Sequence, residues 1–544
     1  MDIINKEKIL SFQFFSWWKK NQLTIVFLLT LVAICYVNSL KNDFVSDDIY
    51  GIVNNENISE LSSVFSNPLN LLRPLSYYLI NKCFGLNPAP YRMLGILFHA
   101  GSVIALFLLV YLLMDKITAT TAAAIFAVHP LLTESITWIS SGYYPQYSFF
   151  ILLALILFLF SFKNKKTYYF SVISFGLALL TSEKAVVFMP ILFVLFALLE
   201  KSLKDWRKLI MYFSLGGTWV LVYIFAIPKR VSSLQTEFYQ TPQNINPFYQ
   251  IPIAIGSYLK LIFWPKALTL YHSEMVFSTT QYAFYLSVFV LFLSAIFYFY
   301  KKNRLVFFWL CFFILSLLPM LTPFGISWIV AERYIYLGSM AIFVLIAMCF
   351  KKLNGEGEIK PIFLALLVLI ISCLSFRTIK RNQDWQTQDT LWLSMAEISP
   401  SSPQNHNNLG DLYSRRGDFE KAIQEFQWAI QLRPNYGDAY HNLASTYSQI
   451  QEYDLAIESY GQAVKFNPNL WQSYQGLASI YFEQEKFEEA AQVMEQAVSI
   501  NPNNANLHLN LGIIYLEMEQ QERAQYEFQT AIQLDPEIEK LFIE

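Results

Sequence analysis

Hydrophobic and polar positions divide the chain into two parts near residue 377. Before that point, apolar runs of about twenty residues, enough for a helix to cross a bilayer, alternate with short polar loops. After it, the sequence is polar, helix-favouring and rich in Glu, Gln and Asn. The pattern predicts an all-α protein with one domain in lipid and one in water.

The apolar runs of residues 1–377 predict a polytopic membrane domain with about eleven transmembrane helices. Segment 250–264 stays open between crossing and lying at the interface, because Pro252 and Lys260 interrupt it. The approximate limits of the predicted spans are 22–40, 93–114, 117–132, 145–162, 167–181, 185–200, 209–227, 282–300, 305–321, 334–350 and 361–376.

Lys and Arg in the short loops predict the orientation in the membrane. Basic clusters at 163–166, 201–208, 301–304 and 351–352 share one side if the N-terminus is cytoplasmic and 250–264 does not cross. The C-terminal domain then lies on the opposite face. We expect a bacterial inner membrane with periplasmic repeats, or an endoplasmic-reticulum membrane with lumenal repeats in a eukaryote. The loops expected on the repeat side are 41–92, 133–144, 182–184, 228–281 and 322–333.

A period of 34 residues begins at residue 403 and is marked by Pro434, Pro468, Pro502 and Pro536. Leu, a small residue, Tyr and Ala recur at fixed offsets, which is the tetratricopeptide pattern. Such repeats stack into a superhelix, and residues 378–402 form a junction and partial repeat before it. The rest, 403–544, comprises a short C-terminal segment and four repeats, 403–436, 437–470, 471–504 and 505–538.

Polar side chains are predicted on the concave face of the repeats, where such arrays usually bind an extended peptide. A solvated surface without a ligand is the alternative interpretation. The residues chosen as peptide-binding candidates are Asn407, Asn408, Asp411 and Asn442.

Composition supports the membrane assignment and limits the partners. The chain is 55% hydrophobic and only 15% charged, which is typical of an integral membrane protein in contact with lipid. A net charge of -2 without a basic stripe argues against a nucleic-acid partner. The five cysteines show neither a disulfide framework nor metal-ligand spacing.

Ionisable residues gather at the predicted outer ends of the spans, where they are functional hypotheses by default. The stretch NDFVSDDIYG follows the first span and carries Asp47 and Asp48. The alternative for this stretch is a surface helix with Ser46 as its N-cap. The other polar residues of this kind are Arg73, His99, His129, Glu134, Glu183, Lys184, Glu332 and Arg333.

Two groups of these outer-face residues are interpreted without a chemical role. His99 and His129 lie in apolar helical surroundings, where a lone His usually packs. Aromatic residues are expected at membrane interfaces without any ligand, and that interpretation covers Tyr143, Tyr144, Tyr147 and Tyr258.

These segments resemble a known family. SDDIYGIVNN, RPLSYYL, AVHPLLTESI, LLTSEK, AERYIYL and DWQTQDTLW leading into the repeats are similar to the transmembrane and tetratricopeptide-repeat O-mannosyltransferases, which are C-type glycosyltransferases. The resemblance implies transfer of a sugar, mannose favoured, from a polyprenyl or dolichyl phosphate to a hydroxyl of a protein. It also implies an acidic catalytic residue in the first outer loop.

Transfer from a sugar phosphate to a hydroxyl assigns roles to the outer-face residues. Asp47 is the preferred base for the acceptor proton, or else Asp48. Asp48 or Glu134 would stabilise positive charge on the sugar ring. Arg333 is the first candidate for binding the phosphate, followed by Arg73 and Lys184. No cofactor or metal is required, although the paired Asp residues keep a divalent ion as an alternative.

Two other classes of function compete with the enzyme. A membrane-anchored repeat scaffold needs one span rather than about eleven. A transporter or polymerase of lipid-linked glycans tends to carry charges in mid-span and paired broken helices, whereas the charges here lie at helix ends. The sequence therefore favours a membrane glycosyltransferase whose repeats present a protein acceptor.

Overall fold

The computed structural model describes residues 6–65, 68–200, 203–237, 247–270, 272, 278–321, 330–355 and 357–542. These residues form helices and turns with no β-strand among them, so the all-α prediction is confirmed. The chain divides into two compact units. The predicted outer loops 228–281 and 322–333 lie partly outside the described residues. The first unit comprises Met1–Val231 and Thr241–Ser394, and the second comprises Ser232–Gln240 and Met395–Glu544.

The first unit is a bundle of apolar helices joined by short helical turns. Its longer helices are Phe14–Tyr36, Leu72–Phe84, Pro88–Leu113, Lys116–Val128, Tyr143–Ser161, Lys165–Thr181, Phe188–Leu199, Ile210–Glu237, Pro247–Phe263, Thr279–Lys302, Arg304–Leu317, Tyr336–Asn354 and Pro361–Asp384. The shorter helices and turns are Lys6–Ser11, Val37–Lys41, Ile49–Val53, Glu56–Ser59, Leu61–Val64, Pro68–Asn70, Pro130–Leu132, Thr133–Thr137, Ile139–Ser141, Glu183–Val187, Leu203–Leu209, Leu318–Met320 and Glu332–Ile335.

Seven helices among the described residues are long and apolar enough to cross a membrane, so the chain is a multi-pass membrane protein. Each of the predicted spans coincides with a helix, but four of those helices are shorter than a straight crossing needs. The count of about eleven therefore stays a prediction. The four short helices are Lys116–Val128, Lys165–Thr181, Phe188–Leu199 and Arg304–Leu317.

Lysines of several predicted basic loops lie at one end of the bundle. Lys8 Nζ donates to the carbonyl of Met114 at 2.8 Å, and Lys351 Nζ lies 2.8 Å from Asp115 Oδ2. Lys163 Nζ donates to a carbonyl of the N-terminal segment at 3.0 Å. Helix Pro88–Leu113 joins this basic end to the opposite end of the bundle over roughly 40 Å. The candidate catalytic residues lie at that opposite end.

Hydrogen bonds of Asn382 connect the last long helix of the bundle to the first long helix and to the loop that follows it. Asn382 Nδ2 donates to Cys35 O at 2.6 Å, and Asn382 O accepts from Asn42 Nδ2 at 2.8 Å. The backbone N–H of Asp43 donates to Gln386 O at 2.8 Å. The helix Pro361–Asp384 continues past residue 377, and the first unit extends to Ser394. The DWQTQDTLW segment, residues 384–392, therefore belongs to the first unit, called the membrane unit below.

The second unit contains the four repeats, each a pair of helices with 13 and 14 residues. Ala422 and its equivalents are buried where the two helices meet. The turn between the helices is left-handed in every repeat, at Gly417, Gln451, Glu485 and Glu519. A short helix, Gln388–Ala396, precedes the array, and the turn Pro536–Phe542 follows it. The pairs are Pro403–Arg415 with Phe419–Leu432, Gly437–Gln449 with Tyr453–Phe466, Trp471–Glu483 with Phe487–Ile500, and Ala505–Glu517 with Gln521–Leu534.

Candidate active site

The two neighbouring acids of the first outer loop have opposite environments. Asp48 is 0% exposed, and its Oδ1 accepts from Ser140 N at 2.8 Å and from Ser140 Oγ at 2.6 Å. Asp47 is exposed. Ser46 has a φ of 54°, a left-handed conformation that is uncommon outside glycine, and it caps no helix. The structure therefore presents Asp47 to solvent and uses Asp48 to fix the loop.

Burial raises the pKa of Asp48 to about 6, although the hydrogen bonds from Ser140 and the charge of Arg92 act to lower it. The desolvation of a carboxylate disfavours its charged form. Asp48 therefore changes charge within the range from mildly acidic to neutral pH.

Arg92 anchors the acidic loop and was not among the residues predicted from the sequence. It is 1% exposed and donates to Thr137 O at 2.7 Å, to Asn42 O at 2.6 Å and to Asp43 O at 2.9 Å. The signal available in the sequence was an arginine just before an apolar run, which looks like an ordinary flanking charge.

A cavity of about 290 Å³ lies beside this loop and brings together two of the three predicted phosphate-binding cations. Arg73 and Lys184 both line it, together with Tyr143. Lys184 Nζ donates to Tyr143 Oη at 3.2 Å, and the Arg73 guanidinium carbon is 5.3 Å from the Tyr143 ring centre. The interpretation of Tyr143 as a mere interface aromatic is therefore incomplete, because both cations lie 5.0 to 5.3 Å from its ring centre.

Lys184 keeps its positive charge in this setting. Burial acts to lower its pKa, but the neighbouring Tyr143 oxygen and the Glu183 carboxylate outweigh burial and raise the pKa. Glu183 Oε1 lies 3.5 Å from Lys184 Nζ. The cavity thus offers a fixed ammonium and a guanidinium, the donors that phosphate oxygens prefer.

Glu134 and Arg333 form a buried ion pair with each other. Glu134 is 0% exposed, accepts from the backbone N–H of Arg333 at 3.0 Å, and accepts a second hydrogen bond from Arg333 Nη1. The Arg333 guanidinium carbon also lies 5.4 Å from the Trp138 ring centre. Both residues are thus engaged, and Arg333, the first candidate for the phosphate, is not among the residues that line the cavity.

A second buried pair lies next to the first. Arg381 Nη2 is 3.6 Å from Glu332 Oε1, and both side chains are 0% exposed. Arg381 Nη1 donates to Asp384 at 2.8 Å. The rings of Trp138 and Trp385 stack with their centres 5.6 Å apart. These residues come from segments far apart in the chain, so their proximity gave no sequence signal.

His99 and His129 pack within the bundle, as predicted. His99 Nδ1 contacts Tyr336 Oη at 2.7 Å. His129 Nε2 lies 3.0 Å from Ile262 O, while its Nδ1 accepts from Leu131 N at 3.3 Å, a pattern that fits a neutral imidazole. In the part of the chain that the structure describes, no three His, Cys, Asp or Glu residues are grouped to hold a metal ion. Metal dependence stays a prediction.

The repeats bring together three of the four predicted peptide-binding residues. Asn442 Nδ2 donates to Asn407 Oδ1 at 2.9 Å. Asp411 and Asn442 line a polar cavity of about 140 Å³. Asn408 is half-buried and does not line that cavity. Asp411 also accepts from Arg415 Nε at 3.0 Å, so its carboxylate is already partly engaged.

Family models match both parts of the chain. The family described as dolichyl-phosphate-mannose-protein mannosyltransferase matches residues 72–227. Families of tetratricopeptide repeats match residues 410–451, 437–470, 478–519 and 505–538. The crystal structure of MamA protein covers 28% of this chain and 84% of its own, with 21% identity and a TM-score of 0.25.

Curated proteins named as O-mannosyl-transferases are similar to much of this chain. Protein O-mannosyl-transferase TMTC3 of Mus musculus is 23% identical over 484 residues, which cover 76% of this chain and 51% of the relative. Protein O-mannosyl-transferase F38B6.6 of Caenorhabditis elegans is 27% identical over 448 residues, covering 76% and 63%. The chain spans about half the length of the first of these relatives.

The helical bundle is similar to a mannosyltransferase family over residues 72–227, and a tetratricopeptide array follows it, a combination typical of membrane glycosyltransferases that carry repeats. The relatives point in the same direction. The chain is similar to the transmembrane and tetratricopeptide-repeat O-mannosyltransferases, and the resemblance expected from the sequence is confirmed.

Proposed function

We propose that the chain is a membrane glycosyltransferase that moves a sugar, mannose favoured, from a polyprenyl-phosphate donor to a hydroxyl of a protein acceptor. The observation that carries the proposal is the cavity that Arg73 and Lys184 both line, each in contact with Tyr143. Two fixed cations beside an acidic loop suit a donor whose leaving group is a phosphate.

The proposed reaction forms a bond between the acceptor oxygen and the anomeric carbon and breaks the bond from that carbon to the phosphate oxygen. The polyprenyl phosphate leaves with its electron pair, and Arg73 and Lys184 balance its charge. Asp47 takes the proton of the acceptor hydroxyl as general base. Asp47 suits this role better than Asp48 or Glu134, because those two are buried and already hydrogen-bonded. No metal takes part in this scheme.

The proposed location follows from the two ends of the bundle. The end that carries Lys8, Lys163 and Lys351 faces the cytoplasm by the rule for positive loops. The cavity and the repeats then lie on the non-cytoplasmic face, in the periplasm of a bacterium or the lumen of the endoplasmic reticulum. The repeats bind the acceptor as an extended segment, with Asp411 and Asn442 among its contacts.

One assay tests the activity. Purified full-length protein in lipid is incubated with a panel of radiolabelled polyprenyl-phosphate sugars and Ser/Thr-containing peptides, with Asp47→Asn as the comparison. We expect sugar transfer or donor hydrolysis by the natural protein and a loss of at least about 100-fold in Asp47→Asn. Absence of turnover with every donor in the panel would contradict the proposal.

A second assay tests the acceptor role of the repeats. Asn442→Ala removes the amide that contacts Asn407 and that lines the cavity of the repeats. We expect weaker peptide binding by isothermal titration and a raised KM for the peptide, with donor hydrolysis unchanged. Unaltered peptide affinity would show that the acceptor binds elsewhere.

A further inference from the structure

Glu183 is the one carboxylate among the described residues that line the cavity with Arg73 and Lys184. Its side chain is 18% exposed, and its Oε1 lies 3.5 Å from Lys184 Nζ. Asp48 and Glu134 are both 0% exposed and directed to other partners. A ligand held in this cavity would therefore meet Glu183 before either of those acids.

The local fold fixes where this carboxylate lies. Ser182 caps the turn Glu183–Val187 by accepting from Lys184 N at 3.3 Å. Because Glu183 and Lys184 are adjacent in that turn and both reach the cavity, an acceptor group and a donor group stand side by side in its wall. The Glu183 carboxylate is paired with the Lys184 ammonium at this position.

A sugar phosphate presents two kinds of group to such a wall. Its phosphate accepts hydrogen bonds and needs cations, whereas its ring hydroxyls donate and need acceptors. An ionised carboxylate has two acceptor oxygens and about four lone-pair sites, so it can bind two neighbouring hydroxyls. Because Glu183 is next to Lys184, the hydroxyls that reach it are those closest to the phosphate-bearing carbon.

The size of the cavity limits what can bind. A volume of about 290 Å³ is at the lower end of the range for small-molecule pockets. It suits one sugar ring with its phosphate rather than an oligosaccharide. Asn55 and Asn70, from the loop that follows the acidic pair, complete the polar wall.

We propose that Glu183 binds the ring hydroxyls nearest the anomeric carbon of the donor and thereby selects the sugar. This inference rests on the proposed function and adds a specificity residue to it.

The test pairs protein variants with altered donors. The proteins are the natural chain, Glu183→Gln, Glu183→Asp and the control Glu60→Gln, which changes an exposed acid outside the cavity. The donors are polyprenyl-phosphate mannose and its 2-deoxy and 3-deoxy analogues. The measured quantity is kcat/KM for donor turnover, and circular dichroism checks that each variant is folded.

We expect Glu183→Gln to lose about 10- to 100-fold in kcat/KM with the mannose donor, the usual effect of removing a hydrogen bond to a charged group. With the analogue that lacks the contacted hydroxyl, the same substitution should cost less than about 3-fold, because that hydrogen bond is already missing. Glu183→Asp should retain part of the activity with mannose, and Glu60→Gln all of it.

Two results would overturn the sugar-binding role of Glu183, and a third would overturn the proposed function. Equal losses with all three donors would mean that Glu183 acts only through Lys184, which overturns the sugar-binding role. Unchanged kcat/KM of Glu183→Gln with mannose would overturn it as well. Failure of the natural chain to turn over any donor would instead overturn the proposed function on which this inference depends.

Discussion

Asp48→Asn is expected to stabilise the membrane unit at neutral pH. The substitution removes a buried negative charge but keeps the Oδ1 atom that accepts from the backbone N–H and the hydroxyl of Ser140. What it loses is the longer contact of 3.4 Å from Val45 N to Oδ2. The side chain is 0% exposed, so removal of the desolvation cost should dominate.

The magnitude follows from the pKa of Asp48, which burial raises from 3.8 to about 6. One unit corresponds to about 1.4 kcal/mol, so a shift of roughly two units costs about 3 kcal/mol when the group is ionised. Below pH 4 both folded and unfolded states are protonated, and there is no cost. Between pH 4 and 6 the unfolded state ionises first, so stability falls as pH rises. Above pH 6 the cost stays constant.

The assay is thermal unfolding of purified protein in detergent, followed by tryptophan fluorescence between pH 4 and 8. The natural chain should lose up to about 3 kcal/mol of stability across this range through Asp48, and Asp48→Asn should lack that component. At pH 7.5 the variant should be more stable by about 1–2 kcal/mol, after subtraction of the lost Val45 contact. Asp47→Asn, which changes an exposed acid, is the matched control and should follow the natural chain. Identical pH profiles for Asp48→Asn and the natural chain would refute the reasoning.

Three further predictions concern separate parts of the molecule. Arg92→Met removes three hydrogen bonds to loop carbonyls and should cost more than about 3 kcal/mol in denaturant unfolding, whereas a loss below 1 kcal/mol would show that the loop does not depend on it. Lys184→Met should raise the KM for the donor about 10- to 100-fold, and Lys163→Met at the basic end should not; equal effects would argue against a phosphate site. Gln451 has a left-handed backbone with a φ of 63°, which glycine adopts without strain. Gln451→Gly should therefore stabilise the repeats by about 1 kcal/mol in thermal melts, whereas Glu458→Gly, inside a helix, should destabilise them.

The fold could be predicted from the sequence because the sequence patterns that indicate it are local. Apolar runs mark each membrane helix, and the period of the four prolines marks each repeat. Span length is less readable, because an apolar run does not reveal where a helix breaks. Ser182, for example, ends helix Lys165–Thr181 with an extended backbone before the next turn begins. The helices that result are too short to be recognised as crossings.

Only some residues of the candidate site could be predicted from the sequence. The acidic loop, Arg73 and Lys184 could be chosen as candidates because charges at outer helix ends are unusual. The sequence favoured Asp47 over Asp48 but could not show that Asp48 is buried, because its partner Ser140 lies 92 positions further along the chain. The partners Arg92 and Trp385 come from distant positions, and only the folded chain shows what they contact.

The hydrogen bonds between the first and last long helices have a consequence for biosynthesis. Asn382 bonds to Cys35 and receives a bond from Asn42, so contacts that fix the acidic loop join residues about 340 positions apart. A ribosome must complete the final transmembrane segment before these contacts can form. The acidic loop of the nascent chain therefore lacks these contacts until helix Pro361–Asp384 has been synthesised and has packed against the first helix.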